Sequence, residues 1–351
     1  MERIPCYLMG FFQVVNLKST LLFKFKYMNK REIIMKNFTL LILFLSGFLF
    51  NGLAAPGWRM LNPYPQANQL NDVFVFNDST AIAVGESQVV IKTTNGGVNW
   101  DVISNAGGGF HELKALDFIS TEIGWAVGEY STVLKTTDGG KKWLKLPISL
   151  TAELLRDVSF ISELTGWAVS SHKIFKTNDG GMTWTYKELG TNIELIAIQF
   201  VDDSNGWVVG WDGVIYATTN GGLNWNPQNS GTIENLLSFC FVNDSVGYAV
   251  GNEGTIIKTI NGGINWYSQS IVSLGSLVSV YFKNNLEGFI IGWDQEETWT
   301  FLRTNDGGNN WISQPDPDLY YDLLSIGFSG NTGWMVGDYG RILKSTNNGV
   351  N

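Results

Sequence analysis

Few side chains in this sequence are placed to do chemistry. His111 and His172 are the only histidines, and Cys6 and Cys240 the only cysteines. They form no pattern with the spacing of a zinc centre. Serine and aspartate are frequent, but no Gly-x-Ser-x-Gly elbow follows a strand and opens a helix, as a serine nucleophile would need. Arginine grips a substrate carboxylate through two parallel N–H bonds. From residue 55 onward only Arg59, Arg156, Arg303 and Arg341 are available for that task. The Asp-box acids described below are poor calcium ligands, because the turn itself uses them. No catalytic residue, metal ligand or cofactor-binding motif is assigned.

Nearly all of the remaining polar residues belong to a repeat. The phrase IKTTNGGVNW ends at Trp100 and returns as LKTTDGGKKW at Trp143, FKTNDGGMTW at Trp184 and YATTNGGLNW at Trp225. It continues as IKTINGGINW at Trp266 and LRTNDGGNNW at Trp311, and LKSTNNGVN stops at Asn351. Its opening Thr or Ser falls at 93, 136, 177, 218, 259, 304 and 345, a period of 41 to 45 residues. A second phrase precedes each copy, as in GWAVGE from Gly124, GYAVGN from Gly247 and GFIIGW from Gly288. TAIAVGE from Thr80 is its divergent first form.

Each unit reads as four short strands. In the fifth, Leu236–Phe241, Gly247–Gly251 and Thr255–Thr259 are apolar or β-branched runs separated by Asn-, Asp- and Gly-rich turns. A fourth strand is expected to open at Trp266. Such runs are the signature of strands and hairpins, and sustained helical periodicity is absent from residue 55 onward. Asn95, Asp138, Asp179, Asn220, Asn261, Asp306 and Asn347 recur at the centre of the turn, where a side-chain oxygen can accept backbone N–H bonds. The glycines that follow adopt positive φ without a steric penalty. The turn is thus first a structural staple. Seven four-stranded units predict an all-β, seven-bladed propeller. The last unit lacks an outer strand, and Gly57–Pro63 is expected to supply it and close the ring, which protects a sheet edge.

The spacing Ser/Thr-x-Asp/Asn-x-Gly-x-x-Trp resembles the Asp-box, or BNR repeat, from Leu70 to Asn351. Many Asp-box proteins are sialidases, whose six-bladed fold needs three converging arginines, a Tyr nucleophile with a Glu partner and an Asp acid. The arginine count and the seven repeats argue against that reading. GWAVGEYSTVLKTTDGGKKW, from Gly124 to Trp143, is similar to a repeat of the photosystem II stability/assembly factor-like propellers. That resemblance implies seven blades and a non-enzymatic assembly factor that binds a membrane-protein partner outside the cytoplasm. Photosynthetic members carry an arginine-rich patch, which four arginines do not match. The expected function is a secreted protein-binding scaffold in a non-photosynthetic role. The alternatives are a sialidase-type hydrolase, a glycan-binding propeller or a fragment of a larger adhesin.

Three segments are expected: an upstream extension at 1–34, a signal peptide at 35–54 with cleavage after Ala54, and the propeller at 55–351. MKNFTLLILFLSGFLFNGLA, from Met35, has the basic start, apolar centre and small-residue end of a secretory signal. Losing 1–54 leaves 16 basic and 30 acidic residues, a net charge of −14. This disfavours nucleic acid and anionic membranes and permits a basic protein, including a membrane protein, or a neutral glycan as partner. The signal segment is what points to an extracytoplasmic location, and a monomer is expected.

Loops between the second and third strands lie on the face opposite the Asp-boxes. They carry Glu129, Tyr130, Trp211, Asp212, Asp338 and Tyr339. The sixth such loop is four residues longer and holds Trp293, Asp294, Glu296, Glu297 and Trp299. Glu112, Glu194 and Asp322 precede innermost strands and would make the centre of this face acidic. An aromatic, acidic face suits a basic protein surface or a sugar ring. The same residues also fit plain turn chemistry.

Overall fold

A computed structural model describes residues 59–60, 66–103, 106–148, 152–190, 194–269, 271, 274–296, 298–315 and 323–350. The chain divides into Met1–Ala55 and Pro56–Asn351, and every described residue falls in the second unit. The proposed extension and signal segment lie outside the described residues.

Seven antiparallel four-stranded sheets form, six of them with their strands in chain order. The innermost strands are Leu70–Val75, Leu113–Phe118, Asp157–Phe160, Leu195–Phe200, Leu236–Phe241, Leu274–Phe282 and Leu323–Ser329. The second strands are buried along their length, as Gly124–Gly128 is, except at the Trp293–Asp294 end of the sixth. The third strands end at the Thr or Ser of each turn. Six outer strands follow their own turns, while the seventh blade takes Arg59–Met60, with Arg59 opposite Lys344 and Met60 opposite Leu343. The ring therefore closes as expected, through two residues of the proposed Gly57–Pro63 segment. The outer strands begin just after the turn tryptophan, at Leu144 and Tyr267 for example, so the Trp itself belongs to the turn.

The repeated turn is one hydrogen-bond pattern built seven times. In blade 2 the buried Thr136 hydroxyl donates to Asp138 Oδ1 at 3.0 Å and accepts the Gly140 N–H at 2.8 Å. Asp138 Oδ1 accepts the N–H groups of Lys141 and Lys142 at 3.0 and 2.9 Å. The Gly139 N–H donates to Glu122 O in the turn between strands one and two. Both turns thus share one end of the blade. The buried hydroxyl is as central to this pattern as the Asp or Asn, because it satisfies a backbone N–H that water does not reach.

The same turn is also the contact between blades. Lys92 Nζ reaches Gly139 O at 2.6 Å in the next blade, Lys176 reaches Gly221 O at 2.8 Å and Lys258 reaches Gly307 O at 2.7 Å. Lys344 Nζ donates to Gly96 O at 2.9 Å, so the last blade grips the first in the same way. In six blades the second strand carries an aromatic side chain where the first blade has Ile82, and it adds an apolar contact. Trp125 stacks on Phe160 of the next blade at 3.6 Å, Trp167 on Phe200 at 3.5 Å and Tyr248 on Phe282 at 3.5 Å. Trp125 Nε1 continues to Gly180 O at 2.9 Å. Such aromatic pairs add about 1 kcal/mol each beyond their area burial.

Gly128 ends a second strand because a side chain has no room there. A Cβ at that position would lie 2.0 Å from Glu112 O. Backbone, not a flexible side chain, supplies the clash. Gly128→Ala should therefore destabilise the ring by about 3 kcal/mol. In urea unfolding the midpoint should drop with the slope unchanged; an unaltered midpoint would contradict this packing account.

Candidate functional site

Each innermost strand is hydrogen-bonded to its own blade along one edge only. Side chains from the preceding blade occupy the other edge. Asp72 Oδ2 accepts the Leu116 N–H at 2.9 Å, Asp117 Oδ2 accepts Phe160 N–H at 2.6 Å and Asp157 Oδ2 accepts Ile198 N–H at 2.8 Å. Ser325 Oγ donates to Asp72 Oδ1 at 2.7 Å, joining blade 7 to blade 1. These three carboxyls keep some accessible surface, yet protein surrounds them, and the surroundings govern their desolvation. Burial raises the pKa of Asp72, lifts Asp117 to about 6 and lifts Asp157 to about 7. The backbone N–H bonds oppose these shifts, while the negative charges of neighbouring members reinforce those of Asp117 and Asp157. Residue type and spacing alone did not reveal this set. Among the described residues no group of His, Cys, Asp or Glu is arranged to hold a metal ion.

On the face opposite the Asp-boxes, four of the loops between second and third strands are single 3-10 turns: Glu86–Gln88, Glu129–Ser131, Trp211–Gly213 and Asp338–Gly340. The central residue takes a left-handed conformation, with φ of 52° at Tyr130, 53° at Asp212 and 55° at Tyr339. Backbone bonds fix these turns, as from Glu129 N–H to Glu112 O at 3.0 Å and Trp211 N–H to Glu194 O at 2.9 Å. Tyr130, Tyr339 and Trp211 are 63%, 65% and 43% exposed. Tyr130 lies against His111 with ring centroids 4.3 Å apart. Exposed Phe110 follows three glycines in the connection into blade 2, and exposed Ile233 lies in the connection into blade 5. Phe110 and Ile233 were not among the residues expected on this face and His111 was weighed only as a metal ligand, although an aromatic after Gly107-Gly108-Gly109 is a readable signal.

Two sequence expectations need correction. Trp299 is not part of an exposed face: it is 3% exposed and packs with Phe289, Phe301 and Leu323. The extra residues lengthen the hairpin rather than the loop, with strands Gly288–Asp294 and Trp299–Thr304 and Trp293 paired to Trp299. Trp293 is half-buried against the same cluster, and Asp294 Oδ1 accepts the N–H groups of Glu296 and Thr298, both at 2.9 Å. The central acids are also not an open acidic rim. Glu112 pairs with Lys114 at 2.7 Å, Glu194 with Arg156 at 2.7 Å and Glu153 with Lys173 at 2.5 Å. Glu297 and Asp322 lie outside the described residues. Arg156 stands on the innermost strand side of blade 3, Arg303 on a third strand of blade 6, and Arg59 and Arg341 in blade 7. No three of them share an innermost position.

The family model described as Photosynthesis system II assembly factor YCF48 matches residues 52–154, 148–229 and 273–351. These matches span more than half of the 351 residues. The chain belongs to this family. Among solved structures, YCF48 bound to D1 peptide is similar with a TM-score of 0.67 and 20% identity, over 82% of this chain and 96% of that one. YCF48 from Cyanidioschyzon merolae gives 0.66 and 20%, over 82% and 98%. Virginiamycin B lyase from Staphylococcus aureus gives 0.67 and 12%, also over 82% and 98%. At these identities the structural likeness is one of fold. No curated protein matches the sequence.

The axial carboxyls make the stability of the ring depend on pH. Asp117 and Asp157 have folded pKa values of about 6 and about 7, against about 3.9 in an unfolded chain. The native ring therefore holds protons that the unfolded chain has lost, and stability falls as pH rises from about 4 to 7. Asp179 and Asp306, lowered to about 2 chiefly by hydrogen bonds from Thr183 and Asn310, act oppositely. Their contribution is present above about pH 4 and is lost as pH falls toward 2. Urea midpoints should thus peak near about pH 4–5. Asp117→Asn/Asp157→Asn, which keeps an acceptor oxygen, should raise the midpoint at pH 8 and leave it nearly unchanged at pH 4.5. An identical slope in wild type and double variant would refute this assignment.

Proposed function

We propose that this chain is a non-catalytic, extracytoplasmic scaffold that binds a protein partner during assembly of a larger complex, in a non-photosynthetic role. Membership in the YCF48 assembly-factor family carries the reading. YCF48 has been solved bound to D1 peptide, which supports a protein segment as the ligand class. The scarcity of arginine from residue 55 onward, where only four occur, supports a partner outside photosynthesis. The basic start and apolar run from Met35 support export, with Ala55 as the first residue of the exported chain.

The face bearing Tyr130, Trp211 and Tyr339 is the proposed contact. Its aromatic side chains stand on short turns held by backbone bonds, so little order is lost when a partner covers them. Aromatic residues with a polar edge are also the commonest anchors of protein interfaces.

Chemical crosslinking in source cells, followed by affinity capture and mass spectrometry, tests this. Wild type should retain a defined protein partner and carry an N-terminus at Ala55. Tyr130→Ala/Trp211→Ala/Tyr339→Ala should weaken that association about tenfold or more. Equal capture by both proteins would remove this face from the proposal, and sialoside hydrolysis above background would overturn the non-catalytic reading.

A further inference from the structure

The opposite face carries a feature that its turn chemistry does not require. The residue after the second glycine of the Asp-box is Val98, Lys141, Met182, Leu223, Ile264, Asn309 and, after a lone glycine, Val350 in the successive blades. In blades 3 to 5 the bonds that shape the turn run from the Asp or Asn oxygen and the Thr hydroxyl to main-chain N–H groups and do not use this side chain; in blade 6 the Asn309 side chain adds one bond, to Asp306 O at 2.7 Å. Lys141 and Asn309 show that a polar side chain fits. Even so, Leu223 is 66% exposed and Ile264 79%. Exposed Met182, Leu164 and Ile260 lie in the same sector, blades 3 to 5. Leu164 O accepts the Gly180 N–H at 2.8 Å, which places it beside the blade 3 box.

This sector is held firmly and is acidic. Lys187 Nζ donates to Leu223 O across the blade 3–4 boundary, and Gln228 Nε2 donates to Gly262 O at 2.9 Å across the next. Glu163, Asp179, Asp202, Asp203 and Asp244 are exposed and lie in the Asp-boxes or in the turns bonded to them, as by Gly221 N–H to Ser204 O and Gly262 N–H to Ser245 O, both at 2.9 Å. Hydrogen bonds within their own turns hold the pKa of Asp179 and Asp202 low, so both stay ionised at neutral pH. The nearby Lys135, Lys176 and Lys187 direct their ammonium groups to backbone carbonyls.

We propose that the Asp-box face of blades 3 to 5 is a second docking surface, for a protein segment that combines apolar with basic side chains. Exposed aliphatic side chains grouped within a charged surround mark an interaction surface. Charge complementarity selects the occupant. A second copy would set acid against acid, and an anionic lipid surface would be repelled. The proposal shares with the scaffold reading only the class of ligand, and it concerns the other end of every blade.

Fluorescence anisotropy of the full chain tests it with a labelled amphipathic Lys/Leu peptide as the probe. Lys/Ser and Glu/Leu peptides of the same length are the controls. The Lys/Leu probe should bind, and Leu223→Ser/Ile264→Ser and Asp202→Lys/Asp203→Lys should each weaken it about tenfold. Tyr130→Ala/Trp211→Ala, on the other face, should leave it unchanged. All four positions of the first two variants are exposed, and matched thermal unfolding checks that the ring is intact. The proposal is overturned by unchanged binding in both of those variants, or by equal affinity for the Lys/Ser peptide. It is also overturned if Leu223→Ser/Ile264→Ser abolishes a dimer in light scattering or flotation with phosphatidylglycerol vesicles. Loss of the crosslinked partner through the tyrosine face alone bears on the scaffold reading and not on this one.

Discussion

The exposed inner edge of each innermost strand is the constraint on which the ring depends. Seven such edges surround one axis, and a buried backbone N–H left without a partner costs about 1–3 kcal/mol. The solution is a side chain from the preceding blade. Asp72, Asp117 and Asp157 supply it in the first three blades; Gln199 accepts the Phe241 N–H at 2.7 Å and Ser238 accepts Val280 N–H at 3.2 Å further round. Ser325 accepts the Val73 N–H at 3.4 Å and brings the series back to its start. Because each staple spans two blades, it also fixes their separation. The short closing strand Arg59–Met60 then seals an edge in a ring whose geometry is already set from within.

Raised carboxyl pKa values follow from this arrangement. An acid that serves a backbone N–H at the axis is enclosed by seven sheets and loses its hydration. Serine or glutamine meets the same geometric need without a charge, as Ser159 does for Phe200 N–H at 3.0 Å. The three aspartates thus tie pH to blade contacts in one part of the ring, while the Asp-box acids, bonded at the rim and well hydrated, keep low pKa values. One residue type performs opposite electrostatic duties at the two radii.

The fold was legible because its turn chemistry is periodic. Thr136, Asp138, Gly140 and Trp143 recur in kind, so spacing alone announced seven blades and even the missing outer strand. The axial staples are not periodic. They fall on two register rows: Asp72, Asp157, Ser238 and Ser325 lie opposite a valine of the second strand, whereas Asp117, Ser159 and Gln199 lie opposite its tryptophan. Side chains from two rows share one task, so no single repeat position marks them. Trp299 was misplaced for a related reason. Four extra residues look the same in a sequence whether they extend a loop or lengthen two strands, and only the pairing of Trp293 with Trp299 separates the cases. Tyr130, Trp211 and Tyr339 are exposed, as a turn at those positions leads one to expect, whereas the pairing of Glu194 with Arg156 joins residues 38 apart and is visible only in three dimensions.

What the turns demand and what they display are separate on both faces. The central residue of the 3-10 turn must accept positive φ, which disfavours any side chain and aromatic ones in particular. Ser87 and Asp212 meet that demand at φ of 56° and 53°. Tyr130 and Tyr339 meet it at 52° and 55° while holding large exposed rings, a choice that the backbone does not favour. On the Asp-box face, Leu223 and Ile264 fill a position where Lys141 and Asn309 are equally compatible with the same hydrogen bonds. In each case the local geometry tolerates the apolar group without calling for it. The rigidity that the repeated turns give the ring is therefore also what allows the Asp-box face to vary, because the bonds that hold the blade 4 and blade 5 boxes come from Thr218, Asn220, Thr259 and Asn261 and not from the Leu223 or Ile264 side chain.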